Sequence, residues 1–373
     1  MTLILMSQNQ DNLRKKMRRY NLLKLCIITL SASIANAGGM ENNALQTGFM
    51  YKKKGYAELS YSSRKYDVTG TYYAPNGSAL KNQNFISVAA KFNPSKKVSA
   101  GFTYYNQAGV QLDYSNAGSP NAPGLPDVDL DINAIAVMLK YQISKNFSLL
   151  GGAKKTLVQD AVANIFQAAG LLESNVKSGA ELGYIVSVAY EQPKIALRVE
   201  LLFESKTKLS LATTNTTAGN GVTTGSIPLY LTLNFQSGIA KNTLIFGSIH
   251  KADWSDNQLK VYPDPRAQTS DFADSITYNI GLGQKLNKEF SVFASYSTEA
   301  ANDPTSTSLL SITDGYKGIS IGANYSVKKL SFTAGVNRTY LGDVTVTPAG
   351  GSTGVFKHNT VDSYAITVGF HSL

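Results

Sequence analysis

A chain of 373 residues with 35 Lys and Arg against 25 Asp and Glu has room for one large domain or two ordinary ones. Its formal charge of +10 is uneven: residues 1–37 hold six basic side chains against Asp11, which leaves +5 spread over the remainder. No Lys/Arg block remains of the kind that binds nucleic acid, and the single cysteine, Cys26, excludes a disulfide framework.

In chain order, the first element is a secretory signal. Arg14, Lys15, Lys16, Arg18 and Arg19 form a basic cluster, Leu22 to Leu30 an apolar run, and Ala35-Asn36-Ala37 an A-x-A cleavage pattern. The run is too short to span a bilayer. Met17 would serve as a start as well as Met1, because the residues before it add nothing a signal needs. Cleavage after Ala37 leaves 336 of the 373 residues. Cys26 lies inside the apolar run without small residues before it, so the signal is not a lipoprotein one and the mature chain is free of cysteine.

No later segment offers the roughly twenty apolar residues of a membrane helix. The mature chain shows instead a period-two alternation in segments of about ten residues, the pattern of a β-barrel wall. Fourteen candidate strands lie near 55–63, 83–93, 98–106, 130–142, 146–156, 176–190, 195–210, 226–237, 242–254, 273–286, 289–298, 316–327, 329–340 and 361–371. In the last of them Tyr364, Ile366, Val368 and Phe370 alternate with Ala365, Thr367 and Gly369. A soluble β-sandwich alternates in the same way.

The connections discriminate. Short links (Asn93–Lys97, Ile143–Lys145, Glu191–Lys194, Gly238–Lys241, Asn287–Lys288, Lys328) alternate with long ones centred on 64–82, 107–129, 157–175, 211–225, 255–272, 299–315 and 341–360. Outer-membrane barrels have tight periplasmic turns, long external loops and even strand numbers, which put both termini in the periplasm. The fold expected is therefore all-β, a transmembrane antiparallel barrel of about 14 strands. One loop differs: Val158–Leu172 has apolar residues that suit a short amphipathic helix.

Chemistry is sparse. His250, His358 and His371 have no metal-ligand spacing, there is no G-x-S-x-G elbow or phosphate-cradling loop, and Gly281-Leu282-Gly283 sits in a strand. The expectation is a protein that is not an enzyme, with no metal and no cofactor. The barrel interior is more telling. After Pro193, the residues Leu197, Val199, Leu201 and Phe203 fit the lipid side, so Arg198, Glu200, Leu202, Glu204, Lys206 and Lys208 fall inside. That series reads either as a bracing salt-bridge ladder or as a site where Arg198, Lys206 or Lys208 receives an anionic head group. Met138, Leu150 and Phe293 add apolar patches to the same lumen, which suits an amphiphilic anion better than a water-filled ion pore.

Several segments are similar to those of a known family. Ala189-Tyr190-Glu191-Gln192-Pro193-Lys194-Ile195-Ala196-Leu197-Arg198-Val199-Glu200 resembles a segment of the FadL/TodX family of outer-membrane hydrophobe transporters, in its shorter members. So do Leu233 to Ser248 with Asp253-Trp254-Ser255, Asn146 to Gly152, Asp314-Gly315-Tyr316 and Tyr340 to Asp343, in a match running from about Gly55 to the C-terminus. The resemblance implies a fourteen-stranded barrel plugged by its own N-terminus. It also implies passive uptake of long-chain fatty acids or other hydrophobic compounds, which leave sideways through a kink in the wall. Two features depart from the family. Its Asn-Pro-Ala plug motif is absent, leaving residues 38–54, in which Leu45, Phe49, Met50 and Tyr51 are the plug candidates. The chain also ends Phe370-His371-Ser372-Leu373 rather than on a terminal aromatic.

The expected organisation is a signal over 1–37, a short plug or tail over 38–54 and a barrel over 55–373. The expected partners are a fatty acid or other hydrophobic small molecule, outer-membrane lipid and lipopolysaccharide, and the barrel-insertion machinery, with the protein a monomer. A general diffusion porin and a loop-mediated adhesin or structural barrel are the alternatives.

Overall fold

The computed structural model describes residues 39–72, 74–114, 126–167, 170–263, 269–302, 304–348 and 352–372. The expected signal over 1–37 lies outside the described residues. No described helix is long and apolar enough to cross a membrane, and the strands form a closed barrel instead. In chain order its wall is β1 (Tyr56–Asp67), β2 (Gln83–Phe92), β3 (Val98–Asp113), β4 (Pro126–Gln142), β5 (Phe147–Val158), β6 (Gly179–Gln192), β7 (Leu197–Glu204), β8 (Tyr230–Ala240), β9 (Thr243–Ala252), β10 (Ser275–Lys285), β11 (Phe290–Glu299), β12 (Tyr316–Val327), β13 (Leu330–Leu341) and β14 (Thr360–His371). Each pairs antiparallel with its neighbours, and β14 returns to β1 with Tyr56 opposite His371 and Asp67 opposite Thr360. Closure gives every strand two neighbours, so the barrel has no open edge strand.

The alternation has a physical outcome on each face. Outward positions carry Leu59, Ile86, Val137, Leu139, Leu182, Ile276, Ile319, Ile321, Val336 and Ile366, all exposed. Aromatic residues bound this band: Phe92, Tyr141, Phe147, Tyr325 and Phe370 toward the short turns, Tyr184, Tyr278, Tyr296 and Tyr340 toward the long loops. Along β13, Tyr340 lies eight residue steps beyond Phe332, about 27 Å of strand at about 3.4 Å per step, which matches an apolar band about 25 Å tall. Many inward positions on β11 to β14 are small and polar and are hydrogen-bonded across strands. Asn324 Nδ2 donates to Thr333 Oγ1 at 2.7 Å, Asn337 Nδ2 to Ser320 Oγ at 2.9 Å, and Ser60 meets Thr367 at 2.6 Å. An exposed apolar outside around a hydrogen-bonded inside inverts the pattern of a soluble domain.

Above the band the long loops fold over the barrel mouth. The segment expected as a helix forms a hairpin, Ala161–Gln167 against Gly170–Val176, whose first strand also pairs with Pro126–Asp129 of β4. Its Ala161 and Ala163 are buried and Val162 exposed. Period-two burial and an available strand edge therefore outcompete a helical spacing of apolar residues, since β-branched residues fit a half-buried pleated surface. The expected strand 195–210 also splits. β7 ends at Glu204, and Thr207–Asn215 joins Gly219–Ile227 in a second hairpin. Short pieces of other loops make a small five-stranded sheet. Together the loops bury one apolar cluster that includes Met40, Tyr72, Leu112, Trp254, Leu259, Phe272, Leu310 and Phe356.

Candidate functional site

The barrel interior below that canopy is occupied by the N-terminal segment. Its first part runs as an added strand along the upper half of β3. Glu41 bridges Ala108, Asn42 N–H donates to Gln107 O at 2.8 Å, and Gly109 N–H donates to Met40 O at 2.8 Å. A single 3-10 turn, Gly48–Tyr51, then carries Phe49 and Met50 into a cluster with Leu45, Tyr105, Ala134, Ala136, Met138, Leu150, Ile185 and Leu202. Gly101 of β3 is where the turn seats, because a Cβ there would collide with Met50 Sδ. The lumen phase expected for Met138 and Leu150 is the phase observed, and what they touch is this segment.

The polar hub is Glu200 of β7, fully buried. Its carboxylate accepts from Thr47 Oγ1 (2.6 Å), Tyr51 Oη (2.8 Å), Ser187 Oγ (2.9 Å) and Asn234 Nδ2 (3.4 Å). Four donors offset the desolvation of one charge, and two of them belong to the N-terminal segment. The Tyr51 ring lies between two cations, Lys140 Nζ at 4.3 Å and the Arg198 guanidinium at 4.5 Å from its centroid. Burial, then the Glu200 charge, holds the Tyr51 phenol well above its ordinary value, so it stays a donor.

A second belt lies nearer the canopy. Lys154 Nζ meets Glu204 Oε2 at 2.7 Å with both side chains buried. His250 joins Glu41 Oε2 (3.0 Å) to Thr232 Oγ1 (2.7 Å), so the strand histidine is a structural tie to the N-terminal segment. Phe293 faces inward but across the barrel, packed on Phe246 and away from Met138 and Leu150.

The bracing series expected along 198–208 needs a correction. Arg198, Glu200, Leu202 and Glu204 point inward, but Lys206 and Lys208 are exposed. The phase slips where Glu204 and Ser205 are both buried: Ser205 exchanges hydrogen bonds with the Tyr184 backbone, donating N–H to O at 3.0 Å and accepting N–H on Oγ at 2.9 Å. Thereafter Thr207, Leu209 and Leu211 are the buried set. Of the three cations proposed for one head group, the fold keeps only Arg198 inside, beneath Tyr51. Thr47, Ser187, Asn234, Lys140 and Lys154 are not singled out by the sequence; the four on strands sit at inward register positions, a signal shared with many structural residues, and Thr47 precedes the 3-10 turn.

Wall pairing is interrupted at β3, and on the β7 side of β6 it covers only Ile185–Gln192. β2 and β3 pair only between Val88–Phe92 and Ala100–Tyr104. β3 then bulges between Asn106 and Ala108, and residues 105–110 are buried without alternation, so this stretch has left the wall surface. Above it the chain before β2 rejoins β3, with Leu80 bridging Leu112. The result is a gap in backbone pairing, bounded by Gln83–Ser87 on one side and Tyr105–Val110 on the other.

No protein-family model matches the chain, and no curated protein does. Solved structures do share the fold. A FadL homologue from Pseudomonas aeruginosa superposes with a TM-score of 0.72 at 12% identity, over 91% of this chain and 97% of that one. The toluene transporter TodX of P. putida gives 0.64 at 11% over 87% and 91%, and the monoaromatic hydrocarbon channel CymD 0.57 at 11% over 90% and 95%. The fourteen-stranded barrel implied by the sequence resemblance is thus the fold observed.

Proposed function

We propose that the chain is an outer-membrane transport protein that takes up long-chain fatty acids or other hydrophobic compounds passively, with residues 38–54 as plug and lateral exit into the membrane. The observation that carries this reading is the pairing gap between β2 and β3 beside a lumen filled by the N-terminal segment. A filled lumen is a poor ion channel, and a gap at membrane depth offers an apolar ligand a path that never enters periplasmic water. That path is favoured by about 0.8 kcal/mol per methylene kept in hydrocarbon. The apolar canopy, with a small cavity lined by Val128, Leu130, Leu209, Leu211, Leu259 and Val261, suits first capture. Neighbours described as toluene transporter and hydrocarbon channel support a hydrophobic cargo. On this reading the long loops face outward, the termini lie in the periplasm, and the export signal precedes Gly38.

The test is binding of a fluorescent long-chain fatty acid to the folded barrel, competed by unlabelled fatty acid and by toluene, with conductance measured in a planar bilayer. Saturable, competable binding with little conductance is expected. Steady conductance without binding would replace the transporter with a general diffusion pore.

A further inference from the structure

Arg64 of β1 is 2% exposed, yet among the described residues it forms no ion pair. One guanidinium nitrogen, Nη2, donates to Asn42 O (2.8 Å) and Asn43 Oδ1 (2.9 Å) of the N-terminal segment, and the group lies 4.5 Å over the Phe85 ring. Its Nε and Nη1 have no acceptor. Gln83, directly opposite Arg64 in the β1–β2 register, has its carbonyl engaged by Tyr66 Oη at 3.3 Å while its Nε2 is unpartnered. Gln107, whose backbone carbonyl holds Asn42, has an unpartnered Nε2 as well. All three residues are at least nine-tenths buried. A buried cation without a counter-charge is costly, and so is each buried donor without an acceptor. Here Arg64 and Gln83 stand together at the β2 lip of the wall gap, whereas the Gln107 carboxamide is turned toward β5, where its Oε1 accepts from Thr156 at 3.5 Å. Nearby Asp131 is engaged by Asn106 at 3.3 Å and makes no ion pair with Arg64.

We propose that Arg64, with Gln83, receives the carboxylate of an anionic amphiphile at the gap, its alkyl chain leaving past Phe85. This rests on the transporter reading and narrows it, since a hydrocarbon without a head group would leave all of these donors unmet. Arg64 Nε and Nη1 lie on different edges of the guanidinium, and each can give a carboxylate oxygen one charged hydrogen bond. Tyr51 covers Lys140 and Arg198, whereas the ring against Arg64 is Phe85.

The experiment measures, at pH 8, the affinity of the folded full-length barrel for a long-chain fatty acid labelled on its alkyl chain and for the methyl ester of the same molecule. The wild type is expected to bind the acid at least tenfold more tightly than the ester. Arg64→Gln, with folding checked by heat-modifiable mobility, should weaken the acid about tenfold to a hundredfold and leave the ester unchanged. Should that variant not fold, Arg64→Lys keeps the charge, loses the Nε and Nη1 donors, and should weaken the acid severalfold. Equal wild-type affinity for acid and ester would overturn the site while keeping the transporter. So would equal weakening of both ligands by either variant, which marks a packing defect at Asn42 and Asn43. Binding of neither ligand by the wild type would sink the transporter reading and the site with it.

Discussion

Replacing Glu200 by Gln is the sharpest probe of how the N-terminal segment is held. The change keeps shape, removes the charge and turns one acceptor oxygen into an NH2 donor, to which the Thr47 or the Tyr51 hydroxyl must then accept. Two of the four hydrogen bonds on that carboxylate, from Thr47 and Tyr51, tie the segment to the wall. A bond to a charged acceptor contributes about 1.5–3 kcal/mol and a neutral one about 1, so losing the charge costs about 1 kcal/mol per bond. Two bonds give about 2 kcal/mol, or about 30-fold in the equilibrium between seated and released segment, at 1.4 kcal/mol per decade. Hydrogen exchange of backbone amides in residues 39–54, read by mass spectrometry on the detergent-folded barrel, reports that equilibrium directly. Exchange in this segment should quicken about 30-fold while the strand amides of β11 to β14 keep their protection. Unchanged protection of 39–54 would refute the latch, and equal loss everywhere would mean that Glu200 supports the barrel rather than the segment. The same assay has a pH signature. The raised Tyr51 phenol stays protonated through the neutral range, so its share of the latch is fully present below about pH 10, the ordinary tyrosine value, and is lost only as pH rises further.

Three other substitutions separate the roles of the interior residues. Gly101→Val puts atoms where Met50 Sδ sits and should unseat the 3-10 turn at a cost of about 1–3 kcal/mol, seen as faster exchange of residues 48–51 with the barrel still resistant to protease. Lys154→Met leaves Glu204 buried and alone and should lower barrel stability in urea by about 3–5 kcal/mol, most of it recovered when Glu204→Leu is added. Lys206→Gln with Lys208→Gln, both exposed beyond the phase slip, should leave fatty-acid affinity within about twofold of wild type; a larger loss in the competition assay would return them to the site.

Local and non-local information part company in this chain. The wall was legible because lipid outside and hydrogen-bonded neighbours inside impose period two on every strand, and because turn lengths sort by end. Those constraints act within ten residues of sequence, so β9 to β14 fall close to their expected bounds. The hairpin at 161–176 was not legible. Ala161, Val162 and Ala163 satisfy either period, and the choice was made by the β4 edge at Pro126–Asp129, some thirty residues earlier. The slip at Glu204 and Ser205 was equally silent. A serine that replaces one rung of a ladder with its own hydroxyl looks like any other lumen serine, yet everything after it changes face, and with it went two of the three cations assigned to a head group.

The same reasoning explains why the N-terminal segment matters to the wall and not only to the lumen. The upper half of β3 could pair with Gln83–Ser87 of β2 and complete the barrel. Instead its backbone is engaged by Met40 and Asn42, which offer hydrogen bonds of 2.8 Å from inside. A strand can give a given edge to only one partner, so the bonds that seat the segment are bonds withheld from the wall. Arg64 couples the two, because it holds Asn42 and Asn43 from β1, opposite Gln83 at the lip of the gap. Releasing the segment would therefore free β3 to close on β2, and seating it keeps the gap open. On the lateral route proposed above, passage of a ligand and position of the segment are linked through one strand, and exchange at 39–54 and at Tyr105–Val110 should respond together to Glu200→Gln.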